Sequence, residues 1–211
     1  MIMQFQVGIL LFDDVDVLDF AGPYEVFNLT TYHDSDVNKL FRNQLKAEDK
    51  PFTVRTFSKD GRPIRAHNGL TVLPDYSFEN MPPFDVIVVP GGPFSAITSV
   101  HSDQVIMNWL SQQAKNNLVI SVCTGALFLA EANLLHGKRA TTHKSAVDLL
   151  ERKYSNVDVV RNMKFVDQGN VITSAGISSG INMALYVVKN LISEEAAVRT
   201  AHTIEFEKAT E

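Results

Sequence analysis

Four short runs rich in β-branched and aliphatic residues, at 7–12, 53–57, 86–89 and 118–122, constrain the fold of this chain more than any other feature. Runs of this length and composition read as strands buried on both faces. Helical patterns stand between several of them. Ser102 or Asp103 can cap a helix that carries Val105, Ile106, Trp109 and Leu110 on one face, so the third and fourth runs form a βαβ unit. Helical spacing continues over 126–135, and again over 145–154 through Val147, Leu149 and Leu150. Alternation of this kind specifies an α/β fold, a mostly parallel sheet with helices on both sides.

From Val157 onward the texture changes. Met163-Lys164-Phe165-Val166 and Val171-Ile172-Thr173 flank Asp167-Gln168-Gly169-Asn170, which predicts a peripheral β-hairpin. A helix follows over 178–191 through Ile181, Leu185, Val188 and Leu191, and Ser193-Glu194-Glu195 opens a last one with a cap and an acidic first turn. Residues 30–51 are the least patterned and read as a polar helix or excursion carrying Leu40, Phe41 and Leu45. With no internal repeat or linker-like tract, the 211 residues are expected to form one domain over 1–211.

The net charge of -5 is unevenly placed: residues 1–38 hold seven acids and no Lys or Arg, and the remainder nets +2. No clustered basic face emerges, which argues against a nucleic-acid partner. Four of the acids, Asp13, Asp14, Asp16 and Asp19, fall within seven residues directly after the first strand, so repulsion should raise the pKa of the least solvated one. No basic n-region precedes the first apolar run, and none approaches the roughly 18 residues that span a bilayer. A single cysteine excludes an intramolecular disulfide and a multi-cysteine zinc site. A soluble, cytoplasmic protein without membrane partner, metal or other cofactor is the expectation.

That cysteine, Cys123, lies in Val122-Cys123-Thr124-Gly125, where the fourth strand gives way to a helix after one tight step. It reads either as a small buried hydrophobe or as the nucleophile of a strand-to-helix elbow, with the helix start favouring thiolate. Ligands in open parallel sheets bind beyond the carboxyl ends of the strands. Two further loops leave such ends: the acidic stretch ending in Leu18-Asp19-Phe20-Ala21-Gly22-Pro23, and Pro90-Gly91-Gly92-Pro93. Asp19, between two apolar residues, is either the carboxyl partner of the thiol or the cap of a helix beginning near Pro23; Asp13, Asp14 and Asp16 look solvent-facing. Gly92 could turn its N–H toward the sulfur and form, with the N–H of Thr124, a two-donor site for developing negative charge, or the loop could be only a turn. His143 is the remaining base candidate, with a structural role as its alternative. His33, His67, His101, His136 and His202 lack metal-ligand spacing.

Together with Gly137-Lys138-Arg139-Ala140-Thr141-Thr142-His143 and Ala175-Gly176-Ile177-Ser178-Ser179-Gly180-Ile181, these motifs resemble the ThiJ/PfpI superfamily over about residues 5–200. Within it the chain is most similar to the isocyanide hydratase branch and to the amidotransferase-like sensor domains of AraC-type regulators. The resemblance implies a flavodoxin-like three-layer sandwich and a homodimer. It implies Cys123 as nucleophile, Asp19 as partner carboxyl, Gly92 and Thr124 as oxyanion donors beside Gly91, and Ile177 as a pocket residue. Members with protease or glyoxalase-like activity generally carry His directly after Cys; Thr124 departs from that pattern. Lys144 and Asn182 depart from the hydratase branch, where an aromatic residue and Asp are common. The activity expected is cofactor-free hydration of a small electrophilic substrate, an isocyanide in the most concrete form. A redox or ligand sensor without turnover and an amidase using His143 are the rivals.

Overall fold

The β-branched runs pair edge to edge into one sheet in this computed structural model, which describes residues 3–206. β1 (Phe5–Leu10) lies between β2 (Phe52–Ser58) and β6 (Val86–Val89), and β7 (Leu118–Ser121) follows β6. All four are parallel. Their register aligns Thr56, Ile9, Val88, Ile120 and Ile172 in one row across the sheet. All five are buried and four of them are aliphatic, as expected of strands covered on both faces.

β11 (Val171–Ser174) extends the sheet beyond β7, and β10 (Phe165–Asp167) pairs antiparallel with it as the expected hairpin. Gly169 takes φ +80° in the turn and donates its N–H to Asp167 Oδ1 at 2.7 Å. Short β5 (Tyr76–Ser77) closes the opposite edge, so the order is β10-β11-β7-β6-β1-β2-β5. Two small pairs stand apart: β3 (Ile64–Arg65) with β4 (Thr71–Val72), and β8 (Arg139–Ala140) with β9 (Asp158–Val159).

Helices flank the sheet in two groups. α1 (Val17–Leu29) and α7 (Ser179–Leu191) pack together, with α8 (Glu194–Thr203) against both. The other group is α3 (Phe94–Ser102), α4 (Gln104–Gln113) and α5 (Gly125–Glu131). α2 (Asp34–Phe41) occupies the unpatterned segment, and α6 (Val147–Lys153) packs near β9. Together these layers form the α/β sandwich expected from the alternation. Among the described residues, no helix is long and apolar enough to cross a membrane.

Two local expectations need correction. Where one helix was expected between the third and fourth runs there are two, with Asp103 capping the second through bonds from the N–H groups of Val105 and Ile106 at 3.0 and 3.3 Å. α3 carries Ser, Thr and β-branched residues of modest helix propensity, and its burial of Ala96, Ile97 and Val100 stabilises it instead. The first helix starts at Val17, not near Pro23. Asp19 is therefore inside its first turn and is not its cap, and Pro23 sits where an ordinary residue would donate to the Asp19 carbonyl four positions back.

Candidate active site

Strand order reverses between β1 and β6, because the chain runs outward from β1 to β2 and later returns to add β6, β7 and β11 on the other side. The crevice beyond the carboxyl ends of strands at such a reversal is the place an open α/β sheet leaves for a ligand. Here the ends of β1, β6 and β7 bring together the acidic loop, Gly91-Gly92 and Cys123.

Cys123 has φ +57°, a left-handed backbone that an L side chain rarely adopts and that costs on the order of 1 kcal/mol or more. The fold holds it there from several directions. Its N–H donates to the Ala175 carbonyl at 3.0 Å, its carbonyl accepts from the Thr142 hydroxyl at 2.7 Å, and the Gly125 N–H donates to the Val122 carbonyl at 2.9 Å. A Cβ on Gly125 would lie 2.2 Å from the Val89 carbonyl oxygen, so only glycine lets the elbow pass this close to β6. The side chain is 3% exposed.

Burial, and next the charge of Asp19, push the Cys123 thiol well above its usual range, with the Thr124 N–H acting in the opposite direction. The expectation that the helix start would by itself favour thiolate is not met. α5 has seven residues, and the dipole of a helix end counts for less than desolvation at a buried sulfur.

Asp19 is fully buried. Its Oδ2 accepts from the Gly91 N–H at 3.0 Å, while Oδ1 has no hydrogen-bond partner among the described residues. Burial pushes its pKa up to about 7; the Gly91 N–H opposes the rise, and the charge of Asp16 adds to it. Donor atoms of Asp16, Asp19 and Cys123 all lie within 4.8 Å of one another. The three acids therefore compete for protons, and a carboxyl that stays neutral near pH 7 can serve as a proton donor.

Asp16 is the residue missed in the sequence. The sequence suggests a solvent-facing role for it alongside Asp13 and Asp14; those two are exposed, but Asp16 is half-buried and tied by its N–H to the Gly91 carbonyl at 2.9 Å. Its position three residues before Asp19, at the start of a helix, was the available signal. This trio is the cation-compatible cluster among the described residues. It offers two oxygens, one sulfur and no imidazole, unlike the histidine- and cysteine-rich sets that zinc prefers.

The Gly91-Gly92 loop is not the oxyanion donor arrangement expected. The Gly92 N–H is engaged by Thr124 Oγ1 at 2.9 Å, and the same hydroxyl donates to the Gly92 carbonyl at 2.8 Å. A Cβ on Gly91 would lie 2.4 Å from Thr124 Oγ1. The loop thus seats the elbow and hands the Gly91 N–H to Asp19, and Thr124 contributes its hydroxyl as a clasp as well as its N–H near the sulfur.

Beside the elbow is a cleft of about 740 Å³ lined by Leu18, Thr142, His143, Ala175 and Ile177, among others. Thr142 and Ala175 also hold the Cys123 backbone. Ile177 lines this cleft, and Cys123 is not among the lining residues. His143 faces it too, with Nδ1 2.7 Å from Ser145 Oγ and accepting from the Ser145 N–H at 3.3 Å. No hydrogen bond joins His143 to Cys123 among the described residues. Lys144 lines the same cleft, whereas Asn182 is on α7 in a separate groove.

Residues 6–190 match the model of the DJ-1/PfpI family. The chain belongs to that family. It is 34% identical over 208 residues to an isonitrile hydratase of Pseudomonas putida, an alignment that covers 98% of this chain and 81% of that one. It is also 32% identical over 147 residues to the HTH-type transcriptional regulator CdhR of Pseudomonas aeruginosa, covering 68% of this chain and 42% of the regulator. Among solved structures, a ThiJ/PfpI family protein from Pseudomonas syringae superposes with a TM-score of 0.81 at 23% identity, over 99% of this chain and 78% of that one. That likeness supports the fold.

Proposed function

We propose that the chain is a cysteine-dependent hydratase of isonitrile type, with Cys123 as nucleophile and Asp19 as the proton-carrying partner. The observation that supports this most is the buried Asp19 carboxyl, held by Gly91, with a pKa near 7 and close against the thiol. The likeness to an isonitrile hydratase over nearly the whole chain agrees with it.

In this reading the pair holds one proton between them. Cys123 Sγ bonds to the terminal carbon of R–N≡C while the proton from Asp19 goes to that carbon, giving a thioimidate. Asp19, now a carboxylate, takes a proton from water as the water oxygen adds to the same carbon, and passes it to nitrogen. The hydroxyl proton then returns to Asp19, the C–S bond breaks, and an N-substituted formamide leaves with the pair restored. Thr124 positions the elbow, Gly91 orients Asp19, and water supplies the oxygen.

Incubation of the purified protein with simple alkyl isocyanides, followed by NMR of the formamide, tests the reading. Turnover by the wild type that is lost in Cys123→Ala and Asp19→Asn is expected. A wild type inert to a broad isocyanide panel overturns it.

A second reading, a ligand-binding or oxidation-responsive module without turnover, draws support from the match to a transcriptional regulator, less than half of whose length this chain spans. Stoichiometric sulfinic acid at Cys123 after peroxide, without catalysis, would favour it.

A further inference from the structure

The walls of the cleft beside the elbow are polarised. Leu18, Val147, Met163 and Ile177 supply its apolar surface, and every titratable group among its lining residues is basic: His143, Lys144 and Arg161. Arg161 is already committed, at 2.9 Å to Asp148 Oδ1 and 2.6 Å to Glu151 Oε2, and neither acid lines the cleft. Lys144 is exposed, and no carboxylate among the described residues forms an ion pair with it. Ser178, at the start of α7, lines the cleft with a hydroxyl that caps nothing. Asp16, Asp19 and Cys123 cluster with one another and are not among the lining residues; the cleft adjoins the elbow through Thr142 and Ala175, which hold the Cys123 backbone.

We propose that the cleft takes a substrate whose reactive end meets Cys123 and whose far end is a carboxylate on a short aliphatic chain, selected by Lys144. The inference rests on Cys123 being the reacting group, and it deepens the hydratase reading by naming the substrate as a carboxylate-bearing isocyanide. Two fields orient such a molecule. Asp16 repels its anionic end from the sulfur, and the unpaired Lys144 attracts it, while the methylenes lie against Leu18 and Ile177. A neutral substrate of the same length lacks both sources of orientation. Lys144 is a specificity-determining residue in this scheme and takes no part in bond making.

Alkylation of Cys123 by 6-iodohexanoate and by 6-iodohexanamide, followed by intact mass, measures the charge preference without requiring turnover. The 6-iodohexanoate-to-6-iodohexanamide rate ratio should fall about fivefold in Lys144→Glu, and the wild-type ratio should fall toward that of the variant at high salt. In parallel, hexanoate should perturb the NMR methyl signals of Leu18 and Ile177 in the wild type more than hexanamide does, and that difference should vanish in Lys144→Glu. This second measurement decides the matter if the buried sulfur resists alkylation. An unchanged rate ratio, or equal perturbation by hexanoate and hexanamide, overturns the inference whether or not isocyanides are hydrated. Charge selectivity that depends on Lys144 in a protein inert to all isocyanides upholds the anionic cleft and overturns the hydratase reading. Where there is turnover, an isocyanide carboxylate should exceed its methyl ester in kcat/KM about fivefold, and Lys144→Glu should remove the advantage.

Discussion

The Thr124 hydroxyl closes on Gly92 from both sides, donating to its carbonyl at 2.8 Å and accepting from its N–H at 2.9 Å. One buried side chain thus ties the end of β6 to the elbow after β7. Thr124→Val keeps the shape and leaves two buried backbone groups unpaired, each at about 1–3 kcal/mol. We expect a loss of about 2–4 kcal/mol in chemical denaturation, and a much smaller loss for Thr124→Ser, which retains the hydroxyl.

Glycines at the elbow and on the surface should respond differently. Gly125→Ala forces a Cβ to within 2.2 Å of the Val89 carbonyl oxygen and 2.9 Å of the Pro90 carbonyl oxygen, both rigid backbone. Gly137 has φ +68° and nothing within 4 Å of a built Cβ, so Gly137→Ala pays only for its backbone angle. Gly125→Ala should cost at least about 3 kcal/mol or prevent soluble expression, and Gly137→Ala about 1 kcal/mol.

Asp19 should make the fold less stable as pH rises. Its pKa is raised from 3.8 to about 7, so between those values the folded chain keeps a proton that the unfolded chain has lost. The stability tied to that proton is fully present below about pH 3.8, declines as pH rises toward 7, and is absent above it. Asp19→Asn does not titrate. Its melting temperature relative to wild type should climb from pH 4 to pH 8, corresponding to as much as about 4 kcal/mol. A difference that is flat with pH would mean that Asp19 is not protonated in the folded protein.

Reactivity of Cys123 should follow the pair and not the thiol alone. The first proton leaves near pH 7, the value held by Asp19, so the alkylation rate by iodoacetamide should rise with an apparent pKa of about 7. In Asp19→Asn the pair is gone, and the buried thiol must ionise unaided. The rising limb should then move above the ordinary cysteine value of about 8.5.

Arg199 provides a contrast away from the site. Its guanidinium donates to the Thr31 carbonyl at 3.2 Å, the Tyr32 carbonyl at 2.6 Å and Thr31 Oγ1 at 3.1 Å, pinning α8 to the loop after α1. Arg199→Met should lower stability by about 2–3 kcal/mol while leaving the pH profile of Cys123 alkylation in place.

The parts of the fold that could be read in advance are those whose signals are local. The aliphatic runs of β1, β6 and β7, the Asp167–Asn170 turn and the caps at Asp103 and Ser193 each satisfy a short-range rule, and the structure keeps them. α3 was not legible because its residues favour no single state alone and become helical by packing Ala96, Ile97 and Val100. The start of α1 was misplaced because Pro23 usually opens a helix, whereas here it is buried inside one.

At the site, the chain by itself determined that one cysteine would sit at a strand-to-helix step, with glycines and acids at the neighbouring strand ends. Residue type and spacing are enough for that. Only the tertiary structure decided that Asp16 joins Asp19 at the sulfur, that Gly92 gives its N–H to Thr124, and that Asp19 keeps a proton to about pH 7. Those outcomes depend on burial and on distances between loops that are far apart in sequence. Desolvation and charge coupling act through space, and no local pattern records them.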